Sequence, residues 1–520
     1  MQKTKRKSKK KTRPVAKQVT PPKTREMLPA ADIVCASVLF LGFLCFFSGR
    51  FYVSTFGRLG FDSVIYTLSA GLGGVQSGQI TGWLLRGFLP AILLTPLTYW
   101  LLTKLRPKAK NGKYQSTKGY KNPARWCSLL LALCLTVFTA FDVELVEYLS
   151  NQNADTDLYE KYYKDPDNVK ITFPEEKRNL IYIMLESMET SYLSKALGGA
   201  MKENLIPELY NLAKENLCFS NTKSKVGGFY TTKGATWTIG SMVAQTAGIP
   251  LKTPTEDVNQ YGAAGEDFLP GVTTLTNILH DAGYKQALMV GSDVRFGGRK
   301  AYYELHEIDA IYDIYTARAD GIIPKDYFVW WGMEDLHLFE YAKQEISELA
   351  SGAQPFAFTM LTVDTHHVGG YQCELCEESK SGESYDQSIS CSSRQVADFV
   401  KWIQSQDFYE NTTIILVGDH ESMDNGYFER TIGDNYQRLL YNCFINSAAE
   451  TTHTNARLFC AEDLFPTTLA AMGCTIEGDR LGLGTNLFSG LDTLMEKMGF
   501  QKFNDELAKS STYYETHFFE

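Results

Sequence analysis

Three apolar stretches in the first 141 residues constrain the fold of this 520-residue chain more than any other feature. A helix that crosses a bilayer needs about 20 mainly apolar residues, or slightly fewer where flanking side chains reach the interface. We therefore predict an anchor of about three transmembrane helices, with a fourth or fifth if the mildly apolar segment 60–81 enters the bilayer. The stretches cover about 33–47 with a weaker continuation to 53, then 83–102 and 126–141.

The charges around these stretches predict how the chain is oriented. Residues 1–28 carry eleven Lys or Arg and one acidic residue, and residues 104–125 carry eight Lys or Arg and no acidic residue. Short cytoplasmic loops are rich in Lys and Arg, so three helices place both segments in the cytoplasm. A cleaved signal peptide is the less favoured alternative, because further apolar runs follow the first one. We predict a multi-pass protein of the plasma membrane with an extracytoplasmic body.

The remaining residues, 142–520, carry 29 Lys or Arg against 57 Asp or Glu, a net charge of −28. This charge argues against nucleic acid as a partner. Over the whole chain 44% of the residues are hydrophobic and 21% are charged, which excludes a disordered protein. We expect a basic cytoplasmic tail over 1–30, a membrane anchor over 31–141, a linker over 142–177, a catalytic domain over 178–490 and a C-terminal tail over 491–520.

From residue 178 onward, strand-like and helix-like patterns alternate. Short apolar runs predict strands, and segments with helical spacing of apolar residues lie between them. This alternation indicates an α/β fold, with a mostly parallel sheet flanked by helices. The predicted strands cover 179–185, 284–290, 356–363 and 412–417, and the predicted helices cover 203–217, 236–247, 272–283 and 461–473.

Three of these strands end in residues that commonly bind metals. Glu186 follows the first strand, and the runs VDTHH and VGDHE follow two later ones. In a parallel sheet, ligands bind beyond the carboxyl ends of the strands. Carboxylates and imidazoles together suit a divalent cation, although each alone is more often a helix cap or a loop charge. The two runs contribute Asp364, His366, His367, Asp419 and His420.

A segment of small and hydroxyl residues, TTKGATWTIG over 231–240, leads into a predicted helix. The N-terminus of a helix favours an anion such as phosphate, because its backbone N–H groups lack partners within the helix. A threonine hydroxyl bound to a metal there would be an activated nucleophile. Ordinary N-capping by a threonine explains the same composition.

Seven of the eleven cysteines lie after residue 142, and three of them are close in sequence. Cys373, Cys376 and Cys391 could form half of a zinc site, but no fourth ligand lies at zinc spacing. An extracytoplasmic location favours disulfides instead, and the odd number leaves one thiol over. We expect disulfides, with a pairing that the sequence does not define.

At these positions the chain resembles the alkaline phosphatase/sulfatase superfamily. The resemblance rests on Glu186, on IPELYNLAKENLCFSN (206–221), on the Gly-Ala-Thr-Trp-Thr segment and on the THH and GDH runs. It covers about 178–490 and is strongest with lipoteichoic acid synthases and periplasmic-glucan phosphoglycerol transferases. The Gly-Ala-Thr-Trp-Thr segment and RLGLGTNL (480–487) are more similar to the glucan phosphoglycerol transferases.

The resemblance implies one divalent metal, most often Mn²⁺, with Mg²⁺ or Zn²⁺ as alternatives. In that family a threonine takes a phosphoglycerol group from phosphatidylglycerol, and an acceptor hydroxyl then attacks the phospho-threonine. The implied nucleophile is Thr236, although Thr232 and Thr238 lie close by. The implied metal ligands are Glu186, Thr236, Asp419 and His420.

Two further residues match positions that contact the substrate in the family. His366 would lie beside the phosphate and act as acid and base, and Arg299 would hold the glycerophosphate. The sequence departs from the lipoteichoic acid synthases at Gly297, where those enzymes have Trp, so the glycerol pocket differs. The implied partners are a phosphatidylglycerol donor, a glycan or polyglycerolphosphate acceptor, and the lipid bilayer.

Three other functions are compatible with parts of this pattern. A sulfatase needs a Cys or Ser in a Cys/Ser-x-Pro-x-Arg setting, which is missing near 231–241. A phosphoethanolamine transferase shares the anchor and the threonine but typically carries more histidine ligands for zinc. A membrane-anchored sensor with an inactive phosphatase fold would have no reason to keep all four implied metal ligands.

Overall fold

The computed structural model of the chain describes residues 29–57, 60–69, 77–104, 122–252, 268–433 and 436–519. The basic segment 1–28 and most of 104–125, which determine the predicted orientation, lie outside these residues. Within the described residues, three helical segments are long and apolar enough to cross a membrane, in agreement with the sequence. They are Ala30–Phe56, Gly78–Thr103 and Pro123–Asp142.

The anchor is held together by close helix packing and by ion pairs. At Gly42, a Cβ would come within 2.8 Å of the Cα of Ala132, so only glycine allows this approach. Arg125 Nε lies 2.6 Å from Asp32 Oδ1. The helices are α1 (Ala30–Phe56), α2 (Phe61–Ser69), α3 (Ser77–Trp83), α4 (Leu89–Thr103) and α5 (Pro123–Asp142), with a π-helical turn at Leu84–Phe88 between α3 and α4.

The body is built around a seven-stranded, mostly parallel sheet, which confirms the predicted fold class. The strands along the chain are β1 (Ile171–Thr172), β2 (Asn179–Leu185), β3 (Gly228–Phe229), β4 (Lys285–Val290), β5 (Ala310–Tyr312), β6 (Phe356–Leu361), β7 (Thr412–Gly418), β8 (Leu440–Ile445), β9 (Thr475–Ile476), β10 (Arg480–Leu481) and β11 (Gly484–Thr485). The sheet order is β3-β8-β7-β2-β6-β4-β5. Strands β7, β2, β6, β4 and β5 are parallel, and the antiparallel β8 and β3 form one edge.

Helices cover both faces of this sheet, so the central strands are completely buried. On β2, Tyr182 and Met184 face one core, and Ile183 and Leu185 face the other. The helices of the body are α6 (Leu145–Gln152), α7 (Leu158–Tyr162), α8 (Pro207–Glu215), α9 (Thr238–Ala247), α10 (Leu275–Asp281), α11 (Arg299–Leu305), α12 (Ile314–Ala319), α13 (Asp335–Ser351), α14 (Ser384–Gln404), α15 (Asn425–Thr431), α16 (Ala461–Ala471), α17 (Leu494–Met498), α18 (Phe500–Ala508) and α19 (Thr512–Phe518). The first core includes α9 and α16, and the second includes α8, α13 and α14.

The segments expected to be a linker and a tail pack against the body. Leu158 and Tyr159, within 142–177, are almost fully buried in the first core, and β1 pairs with β9. Phe503 and Tyr514, within 491–520, are buried in the same core. The ring of Tyr159 meets that of Tyr514 edge-on at a centroid distance of 5.5 Å. These aromatic contacts extend the folded unit beyond 178–490.

Candidate active site

The carboxyl ends of three neighbouring strands meet where the sequence places the predicted ligands. β7, β2 and β6 are adjacent and parallel, so their carboxyl ends lie at one edge of the sheet. Glu186 directly follows β2, and Asp419 and His420 directly follow β7. His366 lies in the loop after β6. The topology therefore gathers residues that are far apart in the chain.

Glu186, Asp419 and His420 form a buried cluster in which one ligand atom of each lies within 4.8 Å of the others. His420 Nε2 is 3.3 Å from Asp419 Oδ2 and 3.7 Å from Glu186 Oε1. His420 Nδ1 lies 2.9 Å from the backbone oxygen of Glu421. Since a carbonyl oxygen only accepts, we assign the proton of the neutral imidazole to Nδ1, which leaves Nε2 to bind a cation.

The two carboxylates are held by neighbouring groups. Asp419 Oδ1 accepts hydrogen bonds from the backbone N–H groups of Ser187 and His420, both at 2.7 Å. Glu186 Oε1 accepts one from Ser187 Oγ at 2.7 Å. Asp419 Oδ2 is buried and accepts no hydrogen bond from the described residues. A buried carboxylate oxygen of this kind is costly unless it binds a cation, so the cluster fits a divalent metal.

The pKa values of all three cluster residues are raised. Burial raises the pKa of Glu186 and of Asp419, and the Asp419 carboxylate adds to the effect on Glu186. At His420, burial disfavours the charged imidazole, but the carboxylates of Asp419 and Glu186 outweigh it and raise the pKa. A bound cation would replace the protons that these groups otherwise retain.

Thr238 brings a hydroxyl to the cluster. Thr238 is the first residue of α9, and its Oγ1 lies 3.3 Å from His420 Nε2. Ser241 Oγ, in the first turn of the same helix, donates a hydrogen bond to the backbone oxygen of Asp419. Thr236, to which the resemblance assigns the nucleophile, precedes the helix, and its buried Oγ1 has no hydrogen-bond partner among the described residues.

A small cavity of about 30 Å³ connects the cluster with the predicted substrate-binding residues. Its lining includes Glu186, Thr238, Arg299, His366 and Trp331. Hydroxyl, carboxylate, guanidinium and imidazole groups therefore share one enclosed space. Such a combination suits the binding and transfer of an anionic group.

Arg299 provides a fixed positive charge in this cavity. Its side chain is almost fully buried, and Nη2 donates to Ser292 Oγ at 2.9 Å and to the backbone oxygen of Asp293 at 2.7 Å. Two residues earlier, Gly297 has a φ of 70°, a conformation that favours glycine. A bulky side chain such as tryptophan would be strained at this position.

An aromatic side chain nevertheless reaches the cavity from a different segment. The ring of Trp331 lies 4.3 Å from that of His366 and 5.5 Å from that of Phe296, centroid to centroid. His366 Nδ1 lies 2.8 Å from the backbone oxygen of His367. Burial lowers the pKa of His366 to about 3, so its imidazole is neutral at physiological pH.

Two residues of the VDTHH run do not join the metal cluster. The ring of His367 meets that of Phe56, in the anchor, edge-on at 5.5 Å. Asp364 Oδ1 accepts a hydrogen bond from the backbone N–H of Asp335 at 3.1 Å. Burial raises the pKa of Asp364, and the Asp335 carboxylate adds to this shift.

Two members of the site, Trp331 and Ser187, are not predicted by the sequence. Trp331 belongs to the segment 320–334, which has no motif and no clear periodicity. Ser187 directly follows a predicted ligand, and its φ of 53° shows that the chain turns sharply there. In the sequence, the apolar strand ends abruptly at Glu186, which indicates a turn. The backbone N–H groups of this turn bind a carboxylate.

Comparison with known proteins assigns the family. Residues 178–474 match the Sulfatase family model. The curated phosphoglycerol transferases I of Salmonella paratyphi B and Salmonella typhi are each 30% identical over 377 residues. These alignments cover 70% of this chain but only 45% of either relative, so the chain spans less than half of their length.

Two solved structures resemble the chain at low sequence identity. The lipoteichoic acid synthase LtaP from Listeria monocytogenes is 16% identical, with a TM-score of 0.48 over 64% of this chain and 81% of its own. The lipooligosaccharide phosphoethanolamine transferase EptA from Neisseria meningitidis is 12% identical, with a TM-score of 0.49 over 86% of this chain and 85% of its own. The match to the family model agrees with the resemblance read from the sequence: the chain belongs to the sulfatase family.

Proposed function

We propose that this chain is a membrane-anchored, metal-dependent transferase that moves glycerophosphate from phosphatidylglycerol to an acceptor hydroxyl through a phospho-threonine intermediate. The contact between Thr238 Oγ1 and His420 Nε2, within the cluster completed by Glu186 and Asp419, carries the proposal. The family match and the phosphoglycerol transferase relatives support this reaction class.

Glu186, Asp419 and His420 would hold the metal, and Thr238 would be the fourth ligand. A bound divalent cation lowers the pKa of a hydroxyl in contact with it and neutralises charge on phosphoryl oxygens. We propose Mn²⁺, as the resemblance implies, because the cluster offers mainly oxygen ligands and one imidazole.

Thr238 would be the nucleophile. Its Oγ forms a bond to the phosphorus of the donor while the bond from phosphorus to the diacylglycerol oxygen breaks. The acceptor hydroxyl then attacks the same phosphorus and releases Thr238. The first turn of the ten-residue helix α9 supplies backbone N–H groups that favour the phosphate, and Arg299 supplies a second positive charge.

His366 would move the proton in both half-reactions. The negative charge of a bound phosphate would make its imidazole more basic, so that it accepts the proton of the attacking hydroxyl and returns it to the departing oxygen, first that of diacylglycerol and later that of Thr238. Trp331, whose ring lies tilted against that of His366, would form an apolar wall for the glycerol carbons. In this arrangement Trp331 would contact the glycerol of the headgroup, whereas Arg299, His366 and the other site residues would serve the phosphoryl transfer.

The anchor reaches the rim of the site, which supports a donor that lies in the bilayer. Asn425 Nδ2 donates to the backbone oxygen of Val53 near the end of α1, at 3.4 Å. Phe56, three residues further, contacts His367. We propose that the body lies on the extracytoplasmic side of the plasma membrane, beside the headgroups of the donor lipid. The acceptor would be a glycan or a polyglycerolphosphate chain, and the acidic body excludes nucleic acid.

The donor can be tested with the purified full-length protein in mixed micelles that contain Mn²⁺. We expect release of diacylglycerol from phosphatidylglycerol and none from phosphatidylethanolamine. Release from phosphatidylethanolamine alone would reassign the chain to phosphoethanolamine transfer, and release from neither lipid would refute a lipid donor. Asp419→Asn, which keeps the size of the side chain, should lower the release by about 10³-fold or more.

A further inference from the structure

A second cluster of metal-binding side chains lies outside the catalytic site. Cys373, Cys376 and Cys391 converge so that their sulfurs all lie within 4.8 Å of one another. Cys373 Sγ is 3.8 Å from Cys376 Sγ and 3.7 Å from Cys391 Sγ. The three sulfurs lie close to one another without a disulfide between any two of them in the structure.

These distances match the geometry of sulfurs around one tetrahedral metal ion. A Zn–S bond of about 2.3 Å places two sulfurs on the same tetrahedral zinc about 3.8 Å apart. A disulfide would join only two of the three sulfurs, whereas Cys373 is equally close to both of its neighbours. The three-way convergence is therefore better explained by an ion that all three sulfurs share.

The groups around the cluster would stabilise negatively charged sulfur. Gln395 Nε2 lies 3.5 Å from Cys391 Sγ and 3.8 Å from Cys373 Sγ. N–H donors directed at sulfur are the outer contacts that orient and tune thiolate ligands of metals.

The cluster connects the catalytic loop with a long helix. Cys391 lies on α14, whereas Cys373 and Cys376 lie in the loop that carries His366. Cys373 and Cys391 are buried, and Cys376 is half-buried, so solvent can reach the cluster on the Cys376 side. A cross-link here would fix the end of the catalytic loop to the body.

We infer that Cys373, Cys376 and Cys391 bind one Zn²⁺ as thiolates, with a water molecule as the fourth ligand, at a site separate from the catalytic metal. Three protein ligands and one solvent ligand complete the tetrahedral coordination of zinc. Binding would release the protons of the three thiols to solvent and would involve no oxidation.

Metal analysis of the full-length protein, purified in detergent without chelator or oxidant, tests this site. We expect Cys391→Ser to contain about one zinc equivalent less than the wild type, and Cys474→Ser, which alters a buried cysteine outside the cluster, to contain the normal amount. Exchange with Co²⁺ should produce a sulfur-to-cobalt charge-transfer absorption in the wild type and in Asp419→Asn, but not in Cys391→Ser. Cys376→Ser, at the half-buried position, gives the same readout if Cys391→Ser does not fold.

Unchanged zinc content in both cluster variants would overturn the inference. So would a disulfide between any two of the three cysteines, detected by mass spectrometry of the unreduced protein. Neither result bears on phosphoglycerol transfer, because the readouts are metal content and absorption rather than turnover of lipid.

Discussion

Thr238 and Thr236 differ in what their hydroxyls contact, and this difference separates two candidate nucleophiles. Thr238 Oγ1 lies 3.3 Å from His420 Nε2, whereas Thr236 Oγ1 is buried without a hydrogen-bond partner among the described residues. We expect Thr238→Ala to lower the rate of diacylglycerol release by about 10³-fold or more, and Thr236→Ala to leave it within about tenfold of the wild type. The measurement is initial rates with phosphatidylglycerol in micelles, and the opposite ranking of the variants would restore Thr236 as the nucleophile.

The raised pKa values of Glu186, Asp419 and His420 predict how metal affinity depends on pH. In the metal-free protein the protonated forms stabilise the fold, and this contribution is lost as the pH rises through the raised pKa values. The metal needs the deprotonated ligands, so it binds more tightly as the pH rises. The increase in Tm produced by Mn²⁺ should therefore grow between about pH 6 and pH 8 in thermal unfolding experiments. A Tm increase that shrinks over this range would contradict the assignment of these ligands.

The structure brings Glu186, Asp419 and His420 together, as the sequence predicts, because each follows a buried strand. The sequence does not decide among the threonines near the start of α9, because a shift of two positions changes which hydroxyl faces the site. It also retained Asp364 as a possible ligand. Only tertiary structure shows that this carboxylate contacts the backbone of Asp335 instead.

At the level of elements, a buried ion pair holds the loop that follows β7. Glu189 is fully buried, and it accepts hydrogen bonds from Arg438 Nε and from the backbone N–H of Ser422, both at 2.9 Å. Arg438→Met would leave the buried carboxylate unpaired, which costs about 3–5 kcal/mol of unfolding free energy. Urea unfolding of the full-length protein in detergent would measure this loss.

A surface ion pair provides the matched control for this variant. Arg430 Nη2 lies 2.9 Å from Glu383 Oε2, but the Arg430 side chain is 58% exposed. Arg430→Met should therefore cost only about 0–1 kcal/mol. Equal losses of unfolding free energy in Arg438→Met and Arg430→Met would show that the buried Glu189–Arg438 pair stabilises the fold no more than the surface pair does.

The strands were easier to predict than the helix boundaries and the edges of the sheet. β2 occupies 179–185 as predicted, because its apolar run is continuous and ends abruptly. β8 (Leu440–Ile445) was not predicted, because a short apolar run of this kind fits a strand and a buried helix equally well. Helix α9 begins two residues later than predicted, after the extended residue Trp237.

At the scale of the whole molecule, the proposed transfer to an extracytoplasmic acceptor requires the body to lie outside the cytoplasm. We expect a protease added to intact spheroplasts to remove a tag fused after residue 520 and to spare a tag fused before residue 1. The physical reason is the excess of Lys and Arg in 1–28 and 104–125, which retains these segments in the cytoplasm. If only the C-terminal tag were protected, the body would lie in the cytoplasm. The site would then be separated from an extracytoplasmic acceptor.

Composition revealed the division of the chain into a basic, apolar part and an acidic body, but it did not reveal the extent of the folded unit. The segments 142–177 and 491–520 are largely polar with scattered aromatic residues, a composition that is also typical of linkers. Their buried rings pack against each other across the ends of the body, as Tyr159 and Tyr514 show. Contacts between the two ends of a domain leave no local signal in the sequence.

The most direct test of the central claim is mass spectrometry of the intermediate that accumulates with phosphatidylglycerol when no acceptor is present. We expect a glycerophosphate adduct on Thr238. This adduct should be absent from Thr238→Ala and present in Thr236→Ala. An adduct on another residue, or continued release of diacylglycerol with no adduct on the protein, would contradict it.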